Sequence, residues 1–354
     1  MNKIYKIFSA MLFSVLMLIL SVSVNASETI TVDKNSMNIV VDGDRVFADN
    51  FVYDNTTYVP LRRIAEMLGK KVEWNADVYG AFISDTDSPD VTTSVKEGLD
   101  LQKGKSITVD RNTMKIFVNG EEVKADNFVY AETTYVPLRK ISEMFKKEVV
   151  WEKLSNTATI GEAGIGFFDG ELLGTINGIE YTDYMYEYYS SVYDYEYEYH
   201  QMMGEDVSSV MKSRDEYIIE ALKKDYALID YALKNGYCMT PLYHASYYDT
   251  VNSTLEGVKG DMEKFERMLE MQGFTSLNSY YYAMLVSDLY VQYSAKFEEE
   301  ITDAEVLAFY EDNEELKYQY SLAEATPDIV RILCKKRTDE DIEKMAKALV
   351  VEVK

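Results

Sequence analysis

The side chains that carry most enzymatic chemistry are scarce in this sequence. Its 354 residues include two histidines, His200 and His244, and two cysteines, Cys238 and Cys334. Nucleophilic catalysis by serine or cysteine needs a nearby base, most often an imidazole, and zinc sites are built mainly from histidine and cysteine ligands. Cys238 and His244 lie one to two helical turns apart, but no further motif accompanies them. We therefore predict no catalytic residue, no metal site and no cofactor.

Net charge narrows the classes of partner. The chain has 61 acidic and 36 basic residues, which gives a formal charge of -25 at pH 7. Proteins that bind nucleic acid or anionic lipid headgroups must neutralise phosphates with basic side chains. We therefore expect no nucleic-acid partner. The apolar content of 47% is ample for folded cores, and the length predicts two or three domains.

The first 26 residues have the pattern of a secretory signal peptide. Lys3 and Lys6 precede an apolar run over residues 7–24, and small residues stand at the spacing of a cleavage site after Ala26. A membrane anchor is the alternative, because the run approaches the roughly 20 residues that span a bilayer. With cleavage, we predict a secreted, extracytoplasmic protein without membrane insertion. In that oxidising location the two cysteines can either pair with each other or stay unpaired.

An internal repeat organises the N-terminal half. Pro60 and Pro137 occur in identical Thr-Thr-Tyr-Val-Pro-Leu-Arg segments, 77 residues apart, and 29 of the 45 positions over residues 30–74 match their partners without a gap. Asp42-Gly43 and Asn119-Gly120, each flanked by alternating apolar residues, predict a tight hairpin in each unit. The prolines suit the first turn of a short helix, so each unit is predicted to be β-rich with one short helix.

These segments resemble the copper amine oxidase-like N-terminal domain that occurs in tandem on secreted proteins of Gram-positive bacteria. The resemblance covers about residues 28–162 and implies a surface-attachment or scaffolding module. It carries over no catalytic residue, and we expect no copper amine oxidase activity, because neither repeat contains a histidine. Arg62 and Arg139, at the helix starts, are candidate contacts for an anionic cell-wall polymer. The alternative is that both simply face solvent.

The second half has a different composition and a helical pattern. Residues 163–175 are rich in glycine, and 24 of the 30 tyrosines lie between Tyr181 and Tyr320. Thr182 can cap the first helix, and Gly236 is placed to end the second. Thr302 and Glu305 have the spacing of a capping box at a later helix start.

This half resembles the N-terminal chaperone domain of SurA- and PrsA-type extracytoplasmic foldases, a relative of the client-binding region of trigger factor. The matching segments are residues 176–182, 232–236 and 301–313, and the resemblance spans about residues 172–322. It implies that unfolded or nascent exported proteins are the partners. Tyrosine offers a large apolar ring with a polar hydroxyl, which suits an exposed surface that holds apolar segments. The candidate client-binding residues are Tyr184, Tyr188, Tyr195, Tyr199, Tyr281 and Tyr282; the alternative is that such tyrosines form a helical core.

Residues 327–354 resemble the beginning of a parvulin-type (PpiC) peptidyl-prolyl isomerase domain. A strand is expected over residues 329–333 and a helix over 339–349. Arg331 stands where that family has a histidine, and the resemblance covers only the first part of the parvulin fold. Isomerase activity is therefore expected only if the natural chain continues into a complete parvulin domain, and this chain is predicted not to be an enzyme.

The predicted fold class is α+β, with two duplicated small β-rich units, each with one short helix, followed by an all-α, chaperone-like helical domain. The predicted segments are a signal peptide (1–26), two repeats (27–90 and 104–162), a Gly-rich linker (163–175), the chaperone-like domain (176–322) and the partial parvulin-like segment (327–354). The predicted function is that of a secreted, cell-surface-associated foldase with its repeats as an attachment module. The alternative is a non-enzymatic cell-wall-binding or structural surface protein.

Overall fold

The computed structural model describes residues 27–86, 98–161 and 170–354. The predicted signal peptide and residues 163–169 of the predicted linker lie outside these ranges. The fold is α+β, as predicted: a β-rich N-terminal region with short helices precedes a helical region. No helix in the described ranges combines the length and the apolar character that crossing a bilayer requires.

The first repeat contains seven strands and one helix. These elements are β1 (Glu28–Lys34), β2 (Asn38–Val41), β3 (Asp44–Arg45), β4 (Phe51–Tyr53), β5 (Thr56–Pro60), α1 (Leu61–Met67), β6 (Lys70–Asn75) and β7 (Gly80–Asp85). The second repeat has the same order. Its elements are β8 (Gln102–Arg111), β9 (Lys115–Val118), β10 (Glu121–Val123), β11 (Phe128–Tyr130), β12 (Thr133–Pro137), α2 (Leu138–Met144), β13 (Val149–Glu152) and β14 (Thr157–Ile160).

Both predicted hairpins are confirmed. Val41 pairs with Asp44 across the two-residue turn Asp42-Gly43, and the equivalent strands β9 and β10 meet across Asn119-Gly120. All four turn residues have positive φ, the backbone conformation that Asn, Asp and Gly tolerate and that matches the twist of the strands. The short helices begin directly after the two prolines, as predicted, with Leu61 and Ile64 buried in the first.

The two repeats interlock. Six strands, three from each repeat, form a closed barrel in the order β1-β4-β5-β12-β11-β8. Two further sheets are each shared between the repeats, with the orders β10-β9-β7-β6 and β13-β14-β2-β3. In both shared sheets, a strand of one repeat runs parallel to a strand of the other. We call this interlocked structure the β module.

Aromatic and branched side chains fill the barrel. Its buried residues are Ile30, Val32, Phe51, Tyr58, Ile107, Val109, Phe128 and Tyr135, which form four equivalent pairs related by the 77-residue period. The ring of Phe51 lies 5.4 Å from that of Tyr58 and 4.9 Å from that of Tyr135. Ring packing of this kind stabilises a core beyond the area that it buries.

The second half, which we call the helical module, begins with a strand pair, β15 (Leu172–Ile176) and β16 (Ile179–Thr182). Its helices are α3 (Asp183–Met202), α4 (Val207–Val210), α5 (Arg214–Asn235), α6 (Pro241–Gly257), α7 (Met262–Glu270), α8 (Leu277–Glu298), α9 (Asp303–Asp312), α10 (Glu314–Gln319) and α11 (Leu322–Lys347). A last strand, β17 (Val351–Val353), pairs with β15 and adds a third strand to the pair.

Several helix ends follow the predicted signals. α5 ends at Gly236, whose φ of 74° is left-handed. Thr302 and Glu305 form the predicted capping box, in which each side chain accepts from the backbone of the other residue. Local capping chemistry therefore specifies these two ends. α3 begins after Thr182, but the predicted cap is wrong, because the Thr182 side chain makes no capping hydrogen bond.

The predicted strand over residues 329–333 is wrong, because this segment is helical within α11. A capping box of Ser321 and Glu324 begins that helix eight residues earlier. Burial follows one helical face, because the buried residues of this helix recur every four or five positions: Ala325, Ile329, Cys334, Thr338, Ile342 and Ala346. The expected helix over 339–349 lies largely within the same α11. Cys238 and Cys334 are both free, so the disulfide is absent.

Candidate functional site

The six candidate tyrosines separate into a buried and an exposed group. Tyr184, Tyr281 and Tyr282 are buried in the core of the helical module, so in this structure they cannot contact a client. Tyr188 is half-buried, with its ring stacked on Phe274 at 5.8 Å. The rings of Tyr184 and Tyr188 both lie about 6.5 Å from that of Tyr282.

A buried carboxylate explains why tyrosine occurs in this core. The hydroxyls of Tyr189 and Tyr282 both donate to Asp225 Oδ2, each over 2.6 Å. Burial raises the pKa of Asp225 to about 6, although the two hydrogen bonds partly oppose that rise. Phenylalanine could fill the same space but could not supply these donors. Tyr189 and Tyr282 are therefore structural.

Tyr195 and Tyr199 lie instead on a protruding helical hairpin. Residues 186–217, which comprise most of α3, all of α4 and the start of α5, include no fully buried residue, although Tyr186, Tyr188, Tyr189 and Tyr217 at the base of the hairpin pack against the core. We call this segment the arm. Tyr195 is 74% exposed, Tyr199 is 52% exposed and Met202 is 86% exposed. Further exposed apolar residues on the arm are Tyr197, Met203 and Val210.

Contacts between its two helices hold the arm together. Arg214 forms an ion pair with Asp194 and donates to Ser190 Oγ at 2.9 Å. The hydroxyl of Tyr186 on α3 donates to the carboxylate of Asp215 on α5. The arm carries eight acidic and two basic residues, so its exposed apolar side chains lie in a negative field.

The β module has a cleft of about 660 Å³ that is lined by both repeats. Its residues come from α1, β6, β7, β8 and the β11–β12 hairpin, and they are Ser27, Leu61, Arg62, Val72, Glu73, Trp74, Tyr79, Ala81, Thr108, Asp110, Met114, Val129, Ala131, Glu132, Thr133 and Thr134. Trp74 is 44% exposed and Tyr79 is 49% exposed, and their rings meet edge to face with centroids 5.0 Å apart. This pair forms an aromatic wall that faces solvent.

The charged groups of the cleft are mostly acidic. Asp110 accepts from the Ser27 hydroxyl, and Glu73 pairs with Lys71 over 2.6 Å. That pairing with Lys71 lowers the pKa of Glu73. Arg62 is exposed at the rim, and within the described ranges it makes no ion pair. Its guanidinium is therefore a hydrogen-bond donor available to a ligand.

The second repeat has an incomplete copy of this wall. Trp151, the equivalent of Trp74, is 56% exposed, and Arg139 is exposed like Arg62. The position of Tyr79, however, is taken by Asn156, whose side chain accepts from the indole Nε1 over 3.3 Å. The two arginines singled out by sequence thus lie in different surroundings.

A buried polar contact joins the two modules. Arg45 of β3 donates from Nε to His244 Nδ1 of α6 over 3.1 Å. Because Nδ1 accepts, Nε2 carries the proton and donates to Thr157 of β14 over 3.2 Å. Burial and the neighbouring Arg45 hold the pKa of His244 well below its ordinary value. The sequence analysis did not predict this contact, since 199 positions separate His244 from Arg45.

The described residues do not fit a copper site. No group of three or more histidine, cysteine, aspartate or glutamate side chains in the described ranges is arranged to hold a metal ion. His200 lies on the arm beside Glu205, and His244 is committed to Arg45 and Thr157. The two imidazoles therefore lie apart from each other, and each is already hydrogen-bonded to other side chains.

Comparison with known proteins gives one family. The chain matches the copper amine oxidase N-terminal domain three times, over residues 21–83, 40–160 and 117–182. No curated protein and no solved structure matches the chain. The resemblance of residues 172–322 to foldase chaperones gains no support from these comparisons and stays a prediction. The N-terminal part of the chain therefore carries repeated matches to the copper amine oxidase N-terminal domain.

Proposed function

We propose that the protein is a secreted, chaperone-like holding protein that binds apolar, basic segments of unfolded exported proteins through its arm. One observation carries the proposal: 32 consecutive residues of the helical module, 186–217, include no fully buried residue yet hold a cluster of exposed tyrosines and methionines. Exposed apolar patches on soluble proteins mark interaction sites.

The chemistry of the arm suits a broad range of segments. Methionine side chains are flexible and polarisable and adapt to different apolar partners. Tyrosine adds apolar area together with a hydroxyl that forms hydrogen bonds with water. Eight acidic residues on the arm attract basic segments and repel acidic ones. The arm is thus matched to clients that are both apolar and positively charged.

The experiment measures aggregation of a denatured basic protein, such as reduced lysozyme, in the presence of the purified full chain. The chain is expected to slow aggregation at a few-fold molar excess. Combined substitution of Tyr195, Tyr199, Met202 and Met203 by serine should abolish most of this effect, because it removes four of the six exposed apolar side chains of the arm. Circular dichroism checks that the variant remains folded.

A matched control lies on α7 and at its C-terminal cap, where Met262, Met268 and Met271 are also exposed. Their combined substitution by serine removes exposed apolar area away from the arm and should leave the effect unchanged. The proposal fails if the full chain does not slow aggregation, or if the two variants lose the effect equally.

A second candidate function is attachment to the cell wall through the β module. It is supported by the Trp74–Tyr79 cleft, an open cavity of the β module with an exposed aromatic wall. The purified full chain should be retained by isolated cell walls at low salt. Absence of retention would contradict attachment while leaving the holding function untouched.

A further inference from the structure

We propose that the cleft beside Trp74 and Tyr79 binds an uncharged sugar chain. This inference deepens the attachment function proposed above and rests on it. It names the ligand class and the residues that recognise it.

Tyr79 has a φ of 48°, in the left-handed region. This conformation is unfavourable for a bulky side chain and is tolerated best by glycine and asparagine. The equivalent residue of the second repeat, Asn156, has nearly the same φ of 49°. One repeat thus has a residue that suits this turn, whereas the other has an aromatic ring that strains it. Among the described residues other than Gly, Asn and Asp, positive φ also occurs at Ala131, Glu132, Lys146 and Lys259, but only Tyr79 is aromatic. A strained backbone that holds an exposed aromatic ring points to function.

The strain places the Tyr79 ring against Trp74. The two rings meet at 81°, and each remains about half exposed. The second repeat retains the tryptophan as Trp151 but has no ring at the position of Tyr79. Aromatic faces carry a negative quadrupole and pack against the polarised C–H groups of a pyranose ring. An exposed pair of perpendicular rings therefore suits a sugar better than it suits the interior of the protein.

The rest of the cleft suits hydroxyl-rich ligands. Arg62 offers guanidinium donors, and the carboxylates of Asp110 and Glu132 offer acceptors. The hydroxyls of Thr108 and Thr133 can do both. A few polar groups around an apolar floor are typical of a site that fixes the orientation of a small ligand.

The charge balance selects against polyanions. Three carboxylates, Glu73, Asp110 and Glu132, line the cleft together with one arginine, Arg62. A phosphate- or carboxylate-rich polymer would meet net repulsion there. The surroundings of Arg62 thus favour an uncharged chain over the anionic polymer considered from sequence.

The shape suits a chain of several sugars. A second depression, of about 590 Å³, shares Arg62, Glu73 and Trp74 with the cleft and extends toward Asn75 and Phe82. Trp74 therefore stands between two depressions, and a linear ligand can pass over its ring.

Tryptophan fluorescence provides the test, because the chain contains two tryptophans. In the full-length variant Trp151→Phe, Trp74 is the single reporter. Titration with the N-acetylglucosamine tetramer or with cellotetraose should give a saturable change, while heparin, a polyanionic sugar chain, should give none. Failure of both neutral tetramers to bind at millimolar concentration, or tighter binding of heparin, would overturn the proposal.

Tyr79→Asn in this background separates recognition from folding. Because asparagine suits the left-handed turn, this variant should unfold at a higher temperature while its affinity for the neutral tetramer falls at least tenfold. Trp151→Ala in the native background should retain the native affinity, measured by calorimetry. Unchanged affinity in Tyr79→Asn, or an equal loss in Trp151→Ala, would contradict the assignment.

Two outcomes distinguish a failure of the sugar-binding proposal from a failure of the cell-wall attachment proposal. If isolated walls retain both the native chain and Tyr79→Asn equally, attachment stands and the cleft is not its site. If the neutral tetramer binds at Trp74 but walls retain nothing, the cleft assignment stands and cell-wall attachment fails.

Discussion

Val59 of β5 lies directly opposite Val136 of β12, its own equivalent in the second repeat. Ile30 and Ile107, which are also equivalent, face each other in β1 and β8. A pseudo-two-fold axis therefore passes through the barrel between these two pairs. The repeats are joined as the halves of a symmetric dimer would be, although one chain supplies both.

The Val59–Val136 pair is expected to couple the stability of the two repeats. Both side chains are fully buried and lie on the same face of paired strands. Each valine-to-alanine substitution should lower the free energy of unfolding by about 2–3 kcal/mol. The double variant should lose less than the sum, by about 0.5 kcal/mol or more, because the first truncation already removes the shared contact.

Chemical denaturation of the two single variants and the double variant checks this coupling. Val59→Ala combined with Val306→Ala is the control, since Val306 of α9 belongs to a separate core cluster. That combination should be additive. Additivity of Val59→Ala with Val136→Ala would show that the symmetric pair does not act as a unit.

Sequence reasoning predicted the repeat, its hairpins and its helix starts, but not the interlocking. Local patterns specify Asp42-Gly43 as a turn and Pro60 as a helix start. The pairing of Ile39 in β2 with Ala158 in β14 joins residues 119 positions apart. A period of 77 residues is equally compatible with two units that each close on themselves, so it does not choose between the two arrangements.

The candidate sites were predicted only in part, because local sequence patterns do not determine long-range packing. Tyr188, Tyr195 and Tyr199 have the spacing of one helical face. This spacing does not show which part of the face is covered by the core and which part is exposed. Tyr79 was missed altogether. The only signal for it was the difference from Asn156 at an equivalent turn position, which gains meaning once both are known to have positive φ.

Gly174 of β15 is expected to tolerate no side chain. A Cβ at this position would lie 2.2 Å from the carbonyl oxygen of Glu352 in β17. Gly174→Ala must therefore displace the last strand, at a cost of about 1–3 kcal/mol in the free energy of unfolding. Gly257→Ala is the matched control, because nothing lies within 4 Å of its added Cβ at the end of α6.

Gly257→Ala should be neutral or stabilising by up to about 1 kcal/mol, the difference in helix propensity. Thermal unfolding of both variants checks the contrast. Equal stability of the two would mean that β17 does not pack on β15 in solution.

Asp225 should make the native chain less stable as the pH rises from about 4 to about 6. Its pKa is about 6 in the folded protein against an ordinary value of 3.8, so in this interval the folded state holds a proton that the unfolded state has lost. Each pKa unit corresponds to about 1.4 kcal/mol, which gives a change of about 3 kcal/mol. Asp225→Asn removes this contribution.

Urea denaturation of both proteins between pH 4 and pH 7 measures the effect. The stability of Asp225→Asn relative to the native chain should rise by about 3 kcal/mol across this interval. A difference that does not change with pH would contradict a raised pKa for the Asp225 carboxyl.

His244 should act in the opposite direction below its ordinary pKa of 6.5. Because the folded protein holds the pKa of His244 well below that value, acidification protonates the unfolded chain first and lowers the free energy of unfolding, by up to about 1.4 kcal/mol per pH unit. In His244→Gln this dependence should be absent. Near pH 8 the variant should be less stable by about 1–3 kcal/mol, since Arg45 Nε and Thr157 lose well-placed partners.

His200→Gln on the exposed arm is the control and should stay within about 0.5 kcal/mol of the native chain at that pH. If His244→Gln and the native chain lose stability in parallel on acidification, the imidazole does not remain neutral at the junction of the two modules.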